Sequence, residues 1–258
     1  MNTIIVNGLR YSQIYKNINM LVFDMSGTVI NDSGLFYKTI FNTLRDNGLN
    51  IDRKDMRNWY GLSKYEIMNY YLYNKTSFER GNENFGIMKS QIYKDFNNNI
   101  LEQYFNNNNN NNIRLMNKNI PNLFNQIREK NIKICLNTGF NKNIQEELIW
   151  KLNLNTLIDD YICSDDVQNE RPEPDMIETL MKRNNINDPK QVIKIGDTKN
   201  DILEGLNANC LLSIGVLTGR SNFNNLIDAG ANHIINDLND LEIIHNNKPL
   251  EGLNNYFL

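Results

Sequence analysis

The apolar residues of this chain gather into a few short, dense runs rather than alternating with polar ones. Met20 to Phe23, Ile132 to Leu136, Val192 to Ile195 and Leu211 to Val216 are each largely apolar. A strand with one wet face would alternate, whereas runs of this kind suit strands covered on both faces. Helical segments separate them, so the pattern predicts an α/β fold, a doubly wound parallel sheet with helices on both faces. Between Gly34 and Asn112 the pattern changes and no strand stands out. Phe36–Asn47, Lys64–Tyr73 and Phe85–Phe105 instead predict helices, and together an α-helical cap inserted into the core. The expected division is a core at 1–34 and 113–258 and a cap at 35–112, with hinges near Asn31–Leu35 and Asn106–Arg114. The aromatic residues of the cap, Trp59 and Tyr70 among them, are expected in its interior.

Composition narrows the class. With 258 residues and 40% hydrophobic content, the chain is long enough for a full core plus a smaller lobe. A formal net charge of −3 leaves no basic footprint for nucleic acid. No stretch is apolar for long enough to cross a membrane and the amino end is too polar for a signal peptide, which together predict a cytoplasmic protein. Asn is the outlier, at about one residue in five, and culminates in the run Asn106 to Asn112 between cap and core. Such tracts read as solvated loop. Cys135, Cys163 and Cys210 show no paired spacing and are expected to be reduced and buried. His233 and His245 fall away from every motif and carry no assigned role.

Candidate chemistry sits where the strands end. The first run empties into Asp24-Met25-Ser26-Gly27-Thr28-Val29, which aims one carboxylate off the carboxyl edge of a strand and follows it with a glycine turn. That is how an α/β enzyme presents a nucleophile. The third run leads into Gly196-Asp197-Thr198-Lys199-Asn200-Asp201. Acidic residues four apart across a strand-to-helix turn can converge on a hard cation, and Asp197 with Asp201 fits magnesium. Asp201 is also a natural N-cap for a helix over Ile202 to Asn207. Leu136-Asn137-Thr138-Gly139-Phe140 places a hydroxyl and backbone N–H groups before a helix, a phosphate cradle or, more plainly, an N-cap. Glu170-Arg171-Pro172-Glu173-Pro174-Asp175 puts a permanent cation before a proline-started helix, suited to pairing with phosphate oxygens.

In order and spacing, these four segments resemble the haloacid dehalogenase superfamily of hydrolases over nearly the whole chain. The quoted stretches, with Cys163-Ser164-Asp165-Asp166-Val167, look most like its phosphonatase-like branch, the relatives of phosphonoacetaldehyde hydrolase. The resemblance implies a Rossmann-like core and an aspartyl-phosphate mechanism with Mg2+. Asp24 falls on the nucleophile, Thr138 on the phosphate-binding hydroxyl and Arg171 on the basic residue, while Gly27, Thr28 and Gly139 complete the phosphate cradle. Asp197 and Asp201 fall on the metal pair, which Asp24 and the backbone carbonyl of Ser26 join. The implied substrate is a small phosphorylated or phosphonate compound, and a homodimer is left open.

Two residues shape the expected substrate. At Ser26 the common phosphatase pattern has a second Asp that protonates the leaving oxygen, so alkyl phosphate esters should be poor substrates here. General acid catalysis is worth roughly 100- to 10,000-fold. Lys64 falls on the Schiff-base lysine of phosphonatases, whose iminium accepts electrons when carbon leaves phosphorus; a solvated lysine that only steers anions is the plainer reading. The phosphonatases also carry a cap Met where this chain has Tyr60 and a His where it has Ile67. The competing functions are a phosphoglycolate-type phosphomonoesterase, a metal-free dehalogenase disfavoured by the Asp197/Asp201 pair, and a non-catalytic binding module that kept the fold.

Overall fold

The computed structural model describes residues 17–59, 64–76, 82–106 and 113–241, together with two short strands, β1 (Ile5–Val6) and β2 (Leu9–Arg10), that pair antiparallel. The main chain path then runs through β3 (Met20–Asp24), β4 (Ile30–Asn31), α1 (Leu35–Asp46), α2 (Lys64–Lys75) and α3 (Glu83–Leu101). After α3 come β5 (Arg114–Leu115), α4 (Ile120–Arg128), β6 (Lys133–Thr138), α5 (Lys142–Lys151), β7 (Asp160–Cys163) and α6 (Asp175–Arg183). The last elements are β8 (Val192–Gly196), α7 (Lys199–Asn207), β9 (Leu212–Val216), α8 (Phe223–Asp228) and β10 (His233–Ile235).

Six strands form one sheet in the order β10-β9-β8-β3-β6-β7, and every pair in it is parallel. The reason lies in the side chains of β3, which point alternately to the two faces. Leu21 and Phe23 join one apolar cluster, with Ile134, Leu136, Ile193 and the helix residues Phe124 and Leu148. Met20 and Val22 join another, with Cys135, Ile162 and the α6 residues Met176, Ile177 and Leu180. Both clusters are dry, so β3 has no face that could be polar. On the first face the Phe23 and Phe124 rings meet with centroids 5.1 Å apart.

The four foreseen strands are present, each within two residues of its expected ends. Two others, β7 and β10, were not foreseen: they are edge strands of four and three residues, and β10 is only half-buried throughout. The helices α1, α2 and α3 occur where expected, and a 3-10 turn, Arg53–Trp59, lies between α1 and α2. A short antiparallel pairing of β4 with β5 joins the two chain crossings that flank these helices. Its two-residue strands carry too little pattern to be read from sequence. Tyr70 corrects one expectation. It is 58% exposed, because on α2 the inward face is occupied by Ile67, Met68, Tyr71 and Leu72, whereas Trp59 is buried as expected. All three cysteines are buried and unbridged. His233 starts β10, and burial lowers its pKa. His245, the segment 60–63 and most of the Asn106 to Asn112 run lie outside the described residues.

Asp32 holds the first crossing in place. Its buried carboxylate accepts hydrogen bonds from the Gly34 and Phe36 amides (2.9 and 3.2 Å) and from the Tyr104 hydroxyl (2.8 Å), and pairs with Arg220 (3.2 Å). Tyr104 sits in the π-helical turn that follows α3, so one carboxylate ties the entry of the helical segment to its exit. A single hydrogen bond to a charged group is worth about 1.5 to 3 kcal/mol. Tyr104→Phe is therefore expected to lower stability by about that amount, read as a shift of the urea midpoint at unchanged slope.

Candidate active site

The chain reverses its winding at β3, which is flanked by β6 on one side and β8 on the other. Open α/β sheets leave a crevice at the carboxyl ends of the strands where this happens. Asp24 is the last residue of β3, Thr138 the last of β6, and Asp197 follows β8 directly. Asp201 stands in the first turn of α7, Arg171 in the loop between β7 and α6, and Lys64 at the start of α2. All six line one cleft of about 650 Å³, partly open to solvent, whose wall also includes Ser26, Gly139, Glu170 and Arg220.

Its floor is a cluster of buried charge. One oxygen from each of Asp24, Asp197 and Asp201 lies within 4.8 Å of the others, and all three residues are buried. Arg171 Nη1 donates to Asp24 Oδ1 at 2.7 Å and also to Asp201 Oδ1. Beneath them Lys194, wholly buried in β8, reaches Asp201 Oδ1 at 3.0 Å, Glu204 Oε2 at 3.1 Å and Asn137 Oδ1 at 2.6 Å. Asn137 in turn donates to both Glu204 oxygens at 2.8 Å. Asp197 is held from the other side by the Arg220 amide, 2.7 Å from its Oδ2, and by the Thr28 hydroxyl, 3.4 Å from its Oδ1.

The titration of the cluster follows from this layout. Burial and the neighbouring charge of Asp201 raise the Asp24 pKa to about 7, against the opposing pull of Arg171. Burial, Asp24 and Asp201 raise Asp197 well above the usual carboxylate range. For Asp201 burial also pushes upward, but Arg171, Lys194 and the Thr198 hydroxyl outweigh it and bring the pKa down to about 2. Burial works against the Arg171 charge, yet Asp201 and Asp24 hold it firmly protonated.

The donor set fits a hard divalent cation. Four buried carboxylates, Asp24, Asp197, Asp201 and Glu204, gather around the largely buried Arg171 and the wholly buried Lys194, so with all four ionised two negative charges are left for a cation to offset. Carboxylate oxygens are the ligands that magnesium selects. Glycine keeps the space around Asp197 open: a Cβ on Gly219 would lie 1.8 Å from Asp197 Oδ2, and one on Gly27, whose φ is +96°, would lie 2.5 Å away. Any larger residue at either point would displace the carboxylate.

Lys64 is the cation that the helical segment brings to the cleft, beside Phe36 and Tyr37 of α1. It is buried at 3% exposure; its Nζ donates to Gly139 O at 2.9 Å and Ser164 Oγ at 3.0 Å, and stands 3.5 Å from Asp165 Oδ1. Burial lowers its pKa, while Asp165 and Glu170 pull the other way. The desolvation that a nucleophilic lysine requires is thus present.

Asp24, Ser26, Lys64, Thr138, Gly139, Arg171, Asp197 and Asp201 all come to the cleft wall. Gly27 and Thr28 stand behind it, against Asp197. Two capping expectations are corrected. Asp201 is not the N-cap of α7: Thr198 is, and Asp201 stands three residues on, where it returns a bond to the Thr198 amide at 3.1 Å in a capping box. Thr138 caps no helix either, since α5 begins at Lys142 behind Asn141. The sequence reading missed Lys194, Glu204, Asn137, Asp165 and Arg220. A lysine inside a buried apolar strand was a usable signal, because a buried charge must find partners.

The sequence model of the haloacid dehalogenase-like hydrolases matches residues 21–214, and the chain belongs to that family. Phosphonoacetaldehyde hydrolase of Latilactobacillus sakei is 28% identical over 213 residues, 80% of this chain and 77% of the relative. The protein of the same name from Bacteroides fragilis is 26% identical over 211 residues, 79% and 78% of the two chains. Among solved structures, a phosphonoacetaldehyde hydrolase-like protein from Oleispira antarctica superposes with TM-score 0.70 at 18% identity, over 90% of this chain and 96% of the other. A predicted phosphoglycolate phosphatase from Haemophilus somnus gives TM-score 0.67 at 18% identity, over 87% and 96%. These likenesses establish the fold. Among the described residues no helix is long and apolar enough to cross a membrane.

The shifted carboxylates predict how stability depends on pH. Asp24 binds its proton more tightly folded, at about 7, than unfolded, near 3.8, so it weakens the cation-free fold as pH rises between those values. Asp197 is shifted in the same direction. Asp201 is shifted the other way, and the stability it contributes is present above 3.8 and lost as pH falls toward 2. Melting followed by circular dichroism should therefore show the cation-free protein less stable at about pH 8 than at about pH 5, with magnesium raising the melting temperature more at the higher pH. Equal magnesium shifts at both would speak against a cation bound by these carboxylates.

Proposed function

We propose that this hydrolase cleaves a small organophosphorus substrate, a phosphonate with an aldehyde beside its phosphorus-bearing carbon, of which phosphonoacetaldehyde is the type. The observation that carries the reading is a desolvated lysine, Lys64, on the same cleft wall as a buried strand-end carboxylate, Asp24. The curated relatives of that name lend support from sequence.

In this reading Asp24 attacks phosphorus in line, and Arg171 and the Thr138 hydroxyl take up the phosphoryl oxygens. Asp24, Asp197, Asp201 and the Ser26 carbonyl would hold Mg2+, which supplies the positive charge that offsets repulsion between carboxylate and phosphoryl group. Two unit charges 4 Å apart repel by about 4 kcal/mol at an effective dielectric near 20. Lys64 forms an iminium with the aldehyde, and the electron pair of the breaking carbon–phosphorus bond moves into it, giving an enamine and an aspartyl-phosphate. Water hydrolyses the second, while protonation and hydrolysis of the first release the aldehyde and free Lys64. No acid at position 26 is needed, because no alkoxide leaves. The helices of segment 35–112 act as the cap in this scheme, carrying Lys64 onto the core and excluding water.

A phosphoglycolate-type phosphomonoesterase is the second reading, favoured by Arg220 on the cleft wall, a cation suited to a carboxylate at the far end of a substrate. Phosphate release with magnesium, measured for phosphonoacetaldehyde, phosphoglycolate and an activated aryl phosphate at matched concentrations, separates the two. The expected result is a clear preference for the phosphonate; turnover of the esters alone would overturn the carbon–phosphorus reading.

Asp24→Asn is expected to abolish steady-state turnover of every substrate, and measurable turnover would remove the aspartyl-phosphate route. Lys64→Ala should retain magnesium binding by calorimetry and lose phosphonate turnover by about 100-fold or more. A wild-type rate in that variant would remove Lys64 from the chemistry.

A further inference from the structure

Imine formation needs a group that moves protons at the lysine nitrogen. Amine must be freed from ammonium, and the hydroxyl of the first adduct must leave as water. Ile67, one turn along α2 from Lys64, is buried at 1% exposure in the apolar cluster and offers no such group. The core side does. The loop after β7 brings Asp165 Oδ1 to 3.5 Å from Lys64 Nζ, the described carboxylate within ion-pair distance of that nitrogen. Asp165 is itself oriented, accepting from the Tyr65 hydroxyl at 3.3 Å on Oδ1 and from the Lys142 amide at 3.4 Å on Oδ2. At 36% side-chain exposure it can exchange protons with solvent, which buried Lys64 cannot do directly.

We propose that Asp165 is the acid–base catalyst for imine formation at Lys64. This rests on the iminium reading above. Asp165 takes a proton from the Lys64 ammonium, leaving a neutral amine whose lone pair adds to the aldehyde carbon. The proton on nitrogen passes to the new alkoxide, giving a neutral carbinolamine. Protonated Asp165 then gives its proton to the carbinolamine hydroxyl, which leaves as water as the carbon–oxygen bond breaks. The nitrogen lone pair closes the iminium, and Asp165 is again a carboxylate. Charge and atoms balance with water as the sole by-product. The other groups facing Lys64 suit other roles. Ser164 Oγ and Gly139 O accept hydrogen bonds from it, and the Tyr65 ring lies 4.7 Å from Nζ. Glu170 acts on Lys64 through longer-range charge, and burial pushes the Cys163 thiol pKa up to about 12, which leaves it uncharged and beyond use as a proton carrier near neutrality. Lys142, beside Asp165, has its ammonium paired with Asp166 at 3.4 Å.

The test is the rate at which borohydride traps a covalent adduct on Lys64 when the full-length protein is mixed with phosphonoacetaldehyde and magnesium. Mass spectrometry locates the adduct and follows its growth. Asp165→Asn keeps the size and acceptor oxygen of the side chain but not its proton chemistry, and trapping is expected to slow by about 100-fold. Asp165→Glu, which restores a carboxyl, should recover most of the rate; a merely structural role would not separate the two variants in this way. Trapping by Asp165→Asn at the wild-type rate, or equal slowing in both variants, would overturn the assignment while leaving the iminium intact. No adduct in the wild-type protein would overturn the iminium reading and this assignment with it, so the two failures are distinguishable.

Discussion

The molecule is organised around a buried bridge in which the Arg171 guanidinium meets Asp24 and Asp201 at the carboxyl edge of the sheet. Ions buried this deeply are tolerated only when their partners and hydrogen bonds are complete. The surroundings supply that completeness. Lys194 and Asn137 support Asp201 and Glu204 from below, the Thr198 cap holds Asp201 from the side, and the Arg220 amide holds Asp197. The parallel register of β3 with β6 and β8 brings the strand ends together, and the charge pairs satisfy the groups gathered there. The carboxylates of the arrangement outnumber its cations, and the proposed function draws on that imbalance to hold a cation and, with it, a phosphorus oxyanion.

What the sequence made legible is what local chemistry controls. The dense apolar runs identify the four central strands because burial on both faces leaves no room for polar residues. The strand-end motifs identify Asp24, Thr138 and Asp197 because a carboxylate or hydroxyl at such a point faces a ligand crevice whatever the distant packing. The strands β7 and β10, at the sheet edges, only partly buried and three to four residues long, have little to distinguish them from loop. Lys194 stands out as a charge in an apolar strand, but its partners Asp201, Glu204 and Asn137 come from other elements and local sequence does not name them. Asp165 lies in the quoted Cys163–Val167 stretch, but its approach to Lys64, like the place of Arg220 beside Asp197, is set by contacts across the fold that no local pattern announces. Tyr70 and Tyr71 illustrate the limit in miniature: adjacent aromatics on one helix, of which only the second meets the core.

Lys64 unites the two parts of the protein by a different physics. Its ammonium spans from α2 to the core and satisfies itself on the Gly139 carbonyl, the Ser164 hydroxyl and the Asp165 carboxylate. An ammonium has three N–H donors and an iminium one. In the proposed mechanism, covalent capture of an aldehyde would therefore exchange contacts that hold helix to core for a bond to substrate, so that chemistry and closure would draw on the same nitrogen.

The central position of β3 has a further consequence for how the protein comes into being. Met20 lies beside Lys133 in one neighbouring strand and beside Val192 in the other, so the strand that carries Asp24 is synthesised long before either partner exists. Until the ribosome has delivered both, its apolar faces have no sheet to enter. Pairings so distant in sequence are slow to form, because much chain must be ordered before they are rewarded. A nascent chain thus carries the strand that ends in Asp24 through most of translation as an exposed, adhesive segment, and the charge cluster closes only near the end of synthesis. For this fold the vulnerable interval is the time before β8 emerges, when the chain depends most on whatever shields hydrophobic segments in the cell.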